Sequence, residues 1–295
     1  MKEKTFDLSN FLANIKKLEI VASKNAYSIL TGDYNTAIPG RGMDFHEARK
    51  YVIGESIRHI DWNMTARLGE PYIKIFTEER MREVFIALDV SSSMYAGWQK
   101  KTKIEFATEL ASTIGYSAIL SKDKLGCILF NDTAIEVIEP GTGKKHLFNV
   151  LKRFYEISLK EPAKKSGTDI RAAIHAIQKF RGKRFIVFMI SDFLDRDIPE
   201  DLKYIKNRHD INMLHIYDPL EYTNQKFLRF PVYSPEKDNS KGIFRIDKIS
   251  DLEASTKFLK QEFLKYRIIY ESISTIEDLD KKLREYFLIK KRVHF

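Results

Sequence analysis

Three short stretches concentrate oxygen-bearing side chains: Asp89-Val90-Ser91-Ser92-Ser93, Ser166-Gly167-Thr168-Asp169 and Ser191-Asp192-Phe193. They offer carboxylates and hydroxyls, with no histidine or thiol among them. That is the donor set of a hard cation such as Mg²⁺ or Mn²⁺, which takes oxygen ligands and keeps part of its water shell. Asp89, Ser91 and Ser93 alternate, so in a turn that leaves a strand their side chains can converge on one centre. Each stretch also has an ordinary structural use. Serine and aspartate favour turns, Thr168 could cap a helix starting near Ile170 with Asp169 suiting its dipole, and Asp192 could occupy a surface turn. Their joint occurrence, each at the end of an apolar strand or the start of a helix, carries the metal-site reading.

The flanking pattern supplies the elements that must position them. Val84–Leu88, Leu125–Phe130, Phe185–Ile190, Ile211–Tyr217 and Arg267–Ile273 read as strands, the first four largely continuous apolar runs. Between them the periodicity predicts helices over 103–121, around Leu147–Phe154, over Ile170–Ile177, over 250–265 and through Ile276, Leu279, Leu283 and Phe287. Ala134–Ile138, one tight turn after Leu125–Phe130, reads as an antiparallel edge strand. Continuous apolar strands separated by helices predict an α/β fold, a doubly wound and mostly parallel sheet covered on both faces. In such sheets ligands bind beyond the carboxyl ends of the strands, where the three oxygen-rich stretches fall. Upstream, an amphipathic helix is expected over 7–22, turn-rich irregular chain and no helix over 32–70, and a strand at Tyr72–Thr77. Residues 218–248 read as an insertion with a hairpin at Phe227–Tyr233 and Ile243–Ile246. The expected division is an N-terminal segment 1–80 and an α/β domain 81–295.

Composition narrows the function. The single Cys127 excludes an internal disulfide framework and fits a reducing cytoplasm, with the thiol inert inside a strand. No run reaches the ~18 apolar residues of a membrane helix, and Met1–Asp7 lacks the apolar core of a signal peptide, so a soluble cytoplasmic protein is expected. The net charge of +9 is concentrated: residues 141–184 hold twelve Lys or Arg against three Asp or Glu, and the rest of the chain sums to zero. Such an excess suits an acidic partner, an anionic membrane or a nucleic acid. No aromatic stacking pattern accompanies the basic residues, so a solvated helix face is expected and nucleic acid is not. Gly141-Thr142-Gly143-Lys144-Lys145 falls short of a phosphate loop, with Ile138 and Lys145 where glycine and a hydroxyl residue belong. No histidine lies near Ser91 or Ser93 in sequence to act as a base; only distant ones, such as His175 or His215, are left for that role.

Asp89, Ser91 and Ser93, then Thr168, then Asp192 after an apolar strand resemble the metal-ion-dependent adhesion site of von Willebrand factor type A domains, whose Rossmann-like sheet matches the expected fold. That resemblance implies that Ser91, Ser93 and Thr168 hold Mg²⁺ or Mn²⁺ directly. Asp89 and Asp192 would act through bound waters, and an acidic side chain of a partner protein would complete the site. Upstream, Gly40-Arg41-Gly42-Met43-Asp44-Phe45, Arg49-Lys50-Tyr51, Gly54-Glu55-Ser56-Ile57-Arg58-His59-Ile60-Asp61-Trp62 and Thr65-Ala66-Arg67 resemble the signature of the domain of unknown function 58 family. In that family the signature runs straight into a von Willebrand A-like domain. Glu55-Ser56 stands where the family usually has two acidic residues, and the membrane helices of many relatives are not seen before the signature. The resemblance implies a non-catalytic protein-interaction module and a partner class, AAA ATPases of the MoxR kind. Rival readings are a metal-assisted hydrolase and a nucleic-acid binder through 141–184. Arg58, Asp61, Trp62 and Arg67, charges among aromatics, predict ion pairs that fix a loop against a sheet, or else a partner-binding patch.

Overall fold

The structure, a computed structural model, describes residues 44–53, 55–77, 81–97, 101–159, 167–180, 182–194, 198–222 and 252–293. The helix expected over 7–22, the start of the family signature and the hairpin expected within 223–248 lie outside the described residues. The described chain falls into two compact units, one within Asp33–Met81 and one from Arg82 onward.

In the first unit strand β1 (Asp44–Lys50) pairs antiparallel with β2 (Tyr72–Thr77). Between them runs helix α1 (Trp62–Leu68), in a region expected to be irregular. Two local devices make that helix. Asp61 accepts the backbone N–H groups of Asn63 and Met64 at its start, and Gly69 takes a left-handed φ of 75° at its end. The glycine and charge content that reads as turn-rich chain therefore marks the two ends of a helix. Thr65 Oγ1 accepts the N–H of Tyr72 at 3.1 Å and ties helix to strand.

The second unit is built on a sheet of six strands: β3 (Glu83–Asp89), β4 (Lys124–Phe130), β5 (Ala134–Gly141), β6 (Phe185–Ser191), β7 (Asp210–Tyr217) and β8 (Ile269–Ser274), in the order β5-β4-β3-β6-β7-β8. All neighbours are parallel except the edge pair β4–β5. The helices are α2 (Lys103–Leu120), α3 (Gly143–Leu159), α4 (Ile170–Gln178), α5 (Leu202–Arg208), α6 (Leu252–Lys265) and α7 (Leu279–Val293). Strand β3 shows how alternation divides the core. Val84, Ile86 and Leu88 pack with α2, α3 and α7, while Phe85 and Ala87 pack with α4, α5 and α6. A strand buried on both faces must be apolar at every position, which is why 84–88 reads as an unbroken apolar run.

Three expectations needed adjustment. Helix α5 was not foreseen: it is seven residues long and buries only Leu202 and Ile205, too little periodicity to register. The last helix begins at Leu279, not Ile276, which is exposed. Strand β5 runs on to Gly141, so the glycine-rich stretch is the turn into α3. Among the described residues no helix is long and apolar enough to cross a membrane.

Candidate metal centre

Strand β3 has β4 on one side and β6 on the other, although β4 follows it directly and β6 comes after two more helices. The winding direction thus reverses at β3, and in such sheets ligands bind beyond the carboxyl end of the strand at that point. Asp89 is the residue that β3 delivers there, fully buried.

The loops on either side fold onto Asp89. The N–H of Val90 donates to Phe130 O at 2.8 Å, and that of Ser91 to Asp89 Oδ1 at 2.8 Å. A 3-10 turn over Ser92–Tyr95, anchored by buried Met94, brings the hydroxyls of Ser91 and Ser93 to 3.1 Å. Thr168 Oγ1 donates to Asp89 Oδ2 at 3.2 Å. The cap of α4 is Asp169, which accepts the N–H of Arg171; Thr168 is not the cap, so its hydroxyl is turned to the carboxylate. The N–H of Asp169 donates to Asn131 O at 2.9 Å and fixes this loop at the end of β4.

Strand β6 contributes Asp192, 2% exposed. It also contributes Ser191, whose Oγ donates to Asp89 Oδ2 at 2.5 Å and accepts the N–H of Phe193 at 3.0 Å. The turn is sharp, with Phe193 at φ 45°, and its ring is held against Phe263 and His215. Asp192 Oδ2 accepts from the buried ammonium of Lys103 at 2.8 Å, and Glu221 Oε1 shares that ammonium at 2.5 Å.

All five residues expected at the centre therefore converge, four through the hydrogen bonds around Asp89 and Asp192 as its charged neighbour. Burial pushes the Asp89 carboxyl up to about 7, Asp192 adds to the rise, and the donors Ser191 and Ser91 oppose it. Asp192 and Glu221 overcome the effect of burial on Lys103 and hold its pKa above the ordinary value. Burial and the Lys103 charge bring His215 down to about 4, so it is neutral at pH 7; its Nδ1 is 2.7 Å from the Tyr270 hydroxyl.

The donor set suits Mg²⁺. The Ser91–Ser93 hydroxyl separation of 3.1 Å is near the ~2.9 Å edge between adjacent ligands of an octahedral ion with bonds of ~2.0–2.1 Å. A cation here would also offset the burial and the Asp192 charge that together keep Asp89 partly protonated. Among the described residues no three His, Cys, Asp or Glu side chains group to hold a metal ion, so the candidate ligands here are mainly hydroxyls.

Ser191, Lys103 and Glu221 were not anticipated as members. A signal for Lys103 exists: Thr102 and Glu105 form a reciprocal capping box that makes Lys103 the first helical residue after the hydroxyl-rich loop. In the first unit the expected ion-paired cluster takes another form. Asp61 caps α1, Trp62 is 67% exposed, and Arg58 and Arg67 are exposed. Ion pairs there join Arg49 to Glu55 and Lys50 to Glu70.

The family described as Protein of unknown function DUF58 matches residues 47–248. The chain belongs to the DUF58 family. The uncharacterized protein Rv1480 of Mycobacterium tuberculosis is 28% identical to it over 208 residues, and Mb1516 of Mycobacterium bovis gives the same figures. The alignment covers 70% of this DUF58 chain and 65% of the length of those curated relatives. Among solved structures, BatB from Bacteroides thetaiotaomicron aligns over 72% of this chain and 99% of its own, at 21% identity and a TM-score of 0.48. The SpRpn10 VWA domain aligns over 69% and 94%, at 14% identity and a TM-score of 0.44. The second unit of this DUF58 protein is a doubly wound, mostly parallel sheet with an antiparallel edge strand.

Proposed function

We propose that this DUF58 protein is a non-catalytic, metal-dependent protein-interaction module. It holds Mg²⁺ or Mn²⁺ at Asp89, Ser91, Ser93, Thr168 and Asp192 and takes an acidic side chain of a partner as the last ligand. The observation that carries the reading is the convergence of two buried carboxylates with the hydroxyls of Ser91, Ser93 and Thr168 beyond β3 and β6. Such a centre binds a cation through few charged ligands, which suits an ion that keeps an exchangeable position. The hydroxyls of Ser91 and Ser93 lie 3.1 Å apart, a spacing that suits neighbouring ligands of one ion and supports the ligand role. The family resemblance supplies the partner class, a MoxR-type AAA ATPase, with which the protein would act in assembly or maturation of a client complex in the cytoplasm.

The test is capture of a purified MoxR-type ATPase from the same genome by the immobilised chain. Retention in Mg²⁺, with loss on chelation and with Asp89→Asn, is the expected result. Equal retention in all three samples would reject the metal-dependent mode and direct attention to Arg58, Trp62 and Arg67.

A further inference from the structure

Lys103 is an unusual residue to find at such a centre. It is fully buried, and its ammonium lies 2.8 Å from Asp192 Oδ2 and 2.5 Å from Glu221 Oε1. Those carboxylates come from two other segments, the end of β6 and the 3-10 turn Pro219–Tyr222 that follows β7. The lysine backbone is tied to the loop bearing Ser91 and Ser93. Its N–H donates to Ala96 O at 3.0 Å, and a Cβ on the adjacent Gly97 would come within 2.5 Å of Thr102 Cα, so only glycine allows that approach. Burying an ammonium and two carboxylates is costly, and an apolar trio of similar shape would hold the same segments together as well or better. The retained charge therefore points to a task beyond packing.

The task follows from the sum of charges. Asp89 and Asp192 balance a divalent cation, and Lys103 balances Glu221, so the loaded centre is neutral before a partner arrives. Without the lysine it would carry one negative charge and repel an incoming carboxylate. We infer that Lys103 sets the charge of the metal centre, weakening its hold on the cation while strengthening the loaded centre's hold on an anionic ligand. This inference rests on the metal-dependent reading proposed above, and assigns Lys103 and Glu221 as its specificity-determining pair.

The experiment measures Mn²⁺ affinity from the paramagnetic resonance of the free ion, using the full chain as wild type, Lys103→Met, Glu221→Gln and the double variant. Removing the lysine should tighten Mn²⁺ binding and removing the glutamate should weaken it, each by about tenfold, with the double variant close to wild type. Acetate, standing in for a partner carboxylate, should bind the Mn²⁺-loaded Glu221→Gln protein more tightly than wild type, read by water-proton relaxation. Lys103→Met leaves two buried carboxylates unmatched and is the variant most at risk of not folding. The charge-balanced double variant and Glu221→Gln decide the matter without it. Weaker Mn²⁺ binding in every variant, with no gain for acetate, would overturn the inference and leave the metal reading standing. Mn²⁺ binding by Lys103→Met but not by wild type would overturn metal dependence and uphold the lysine as the resident cation. No binding by any of the four would overturn both.

Discussion

The two ends of the central sheet treat charge differently. At the amino ends of the strands, Asp123 accepts the backbone N–H and guanidinium of Arg82, the latter at 2.9 Å. Glu83 lies between Lys124 at 3.1 Å and Lys183 at 3.0 Å, and Asp210 pairs with Lys290 at 2.8 Å. Each carboxylate there has its own cation or two. At the carboxyl ends Asp192 and Glu221 share Lys103, while Asp89 is met by hydroxyl and amide donors. Buried charge that is fully matched closes a structure. Buried negative charge in excess, surrounded by hydroxyls, is the feature on which the proposed cation site rests.

The contrast breaks most visibly at Asp89. Asp89→Asn should lower Mn²⁺ affinity by ~10–100-fold with the far-ultraviolet circular dichroism unchanged. Calorimetry giving wild-type affinity would mean that the two ends do not differ in kind. At the other end Asp123→Ala should cost ~2 kcal/mol in urea unfolding, because it strands the Arg82 guanidinium and backbone N–H, while leaving Mn²⁺ affinity unchanged.

The third expectation concerns protons. In the metal-free protein the folded state raises the Asp89 pKa from 3.8 to about 7, so between those values it binds a proton that the unfolded chain has released. Stability attributable to Asp89 is therefore greatest at the acid end of that window and falls as pH rises through about 7. Buried neutral His215 contributes with the opposite sign, so the informative quantity is wild type minus Asp89→Asn. That difference should slope downward with pH by up to ~1.4 kcal/mol per unit. Saturating Mg²⁺ should flatten it, since the cation displaces the proton. A flat difference without metal would show that Asp89 is ionised throughout.

The smallest effects separate two adjacent residues. Thr168→Ala should cut Mn²⁺ affinity several-fold and barely alter stability, whereas Asp169→Ala, which removes the α4 cap, should cost ~1 kcal/mol and leave the affinity alone. Titration and thermal unfolding of both proteins would check the pair; a reversed pattern would make Thr168 a structural residue.

Much of this was legible in the sequence, and the physical reasons are specific. Strands β3 and β6 are buried on both faces and so are apolar at every position, a pattern that few other structures impose. Asp89 and Asp192 were visible because each borders such a run, and Thr168 because it stands in a hydroxyl-bearing stretch just before the apolar periodicity of α4. Ser191 was harder to assign. It is the last residue of a strand, and the step from alternating strand faces to a turn decides whether its hydroxyl meets Asp89. Lys103 and Glu221 were hidden for another reason. Their charges look like ordinary helix-surface and turn residues until the tertiary fold places them in one buried cluster. In the first unit, helix α1 escaped because its cap at Asp61 and stop at Gly69 are made of residues that equally mark loops.

The pairing of β3 with β6 has one further consequence. Asp89 and Ser191 touch although they are 102 residues apart in the chain. The β4–β5 hairpin and the individual helices can form from near neighbours. The β3–β6 pair must first close a long loop, with an entropic cost that local contacts do not help to meet. Asp89 and Asp192, at the ends of β3 and β6, therefore come together only once those central strands have docked. Until then there is nothing for a divalent ion to recognise, so Mg²⁺ would act on the finished molecule, slowing its unfolding without hastening its formation.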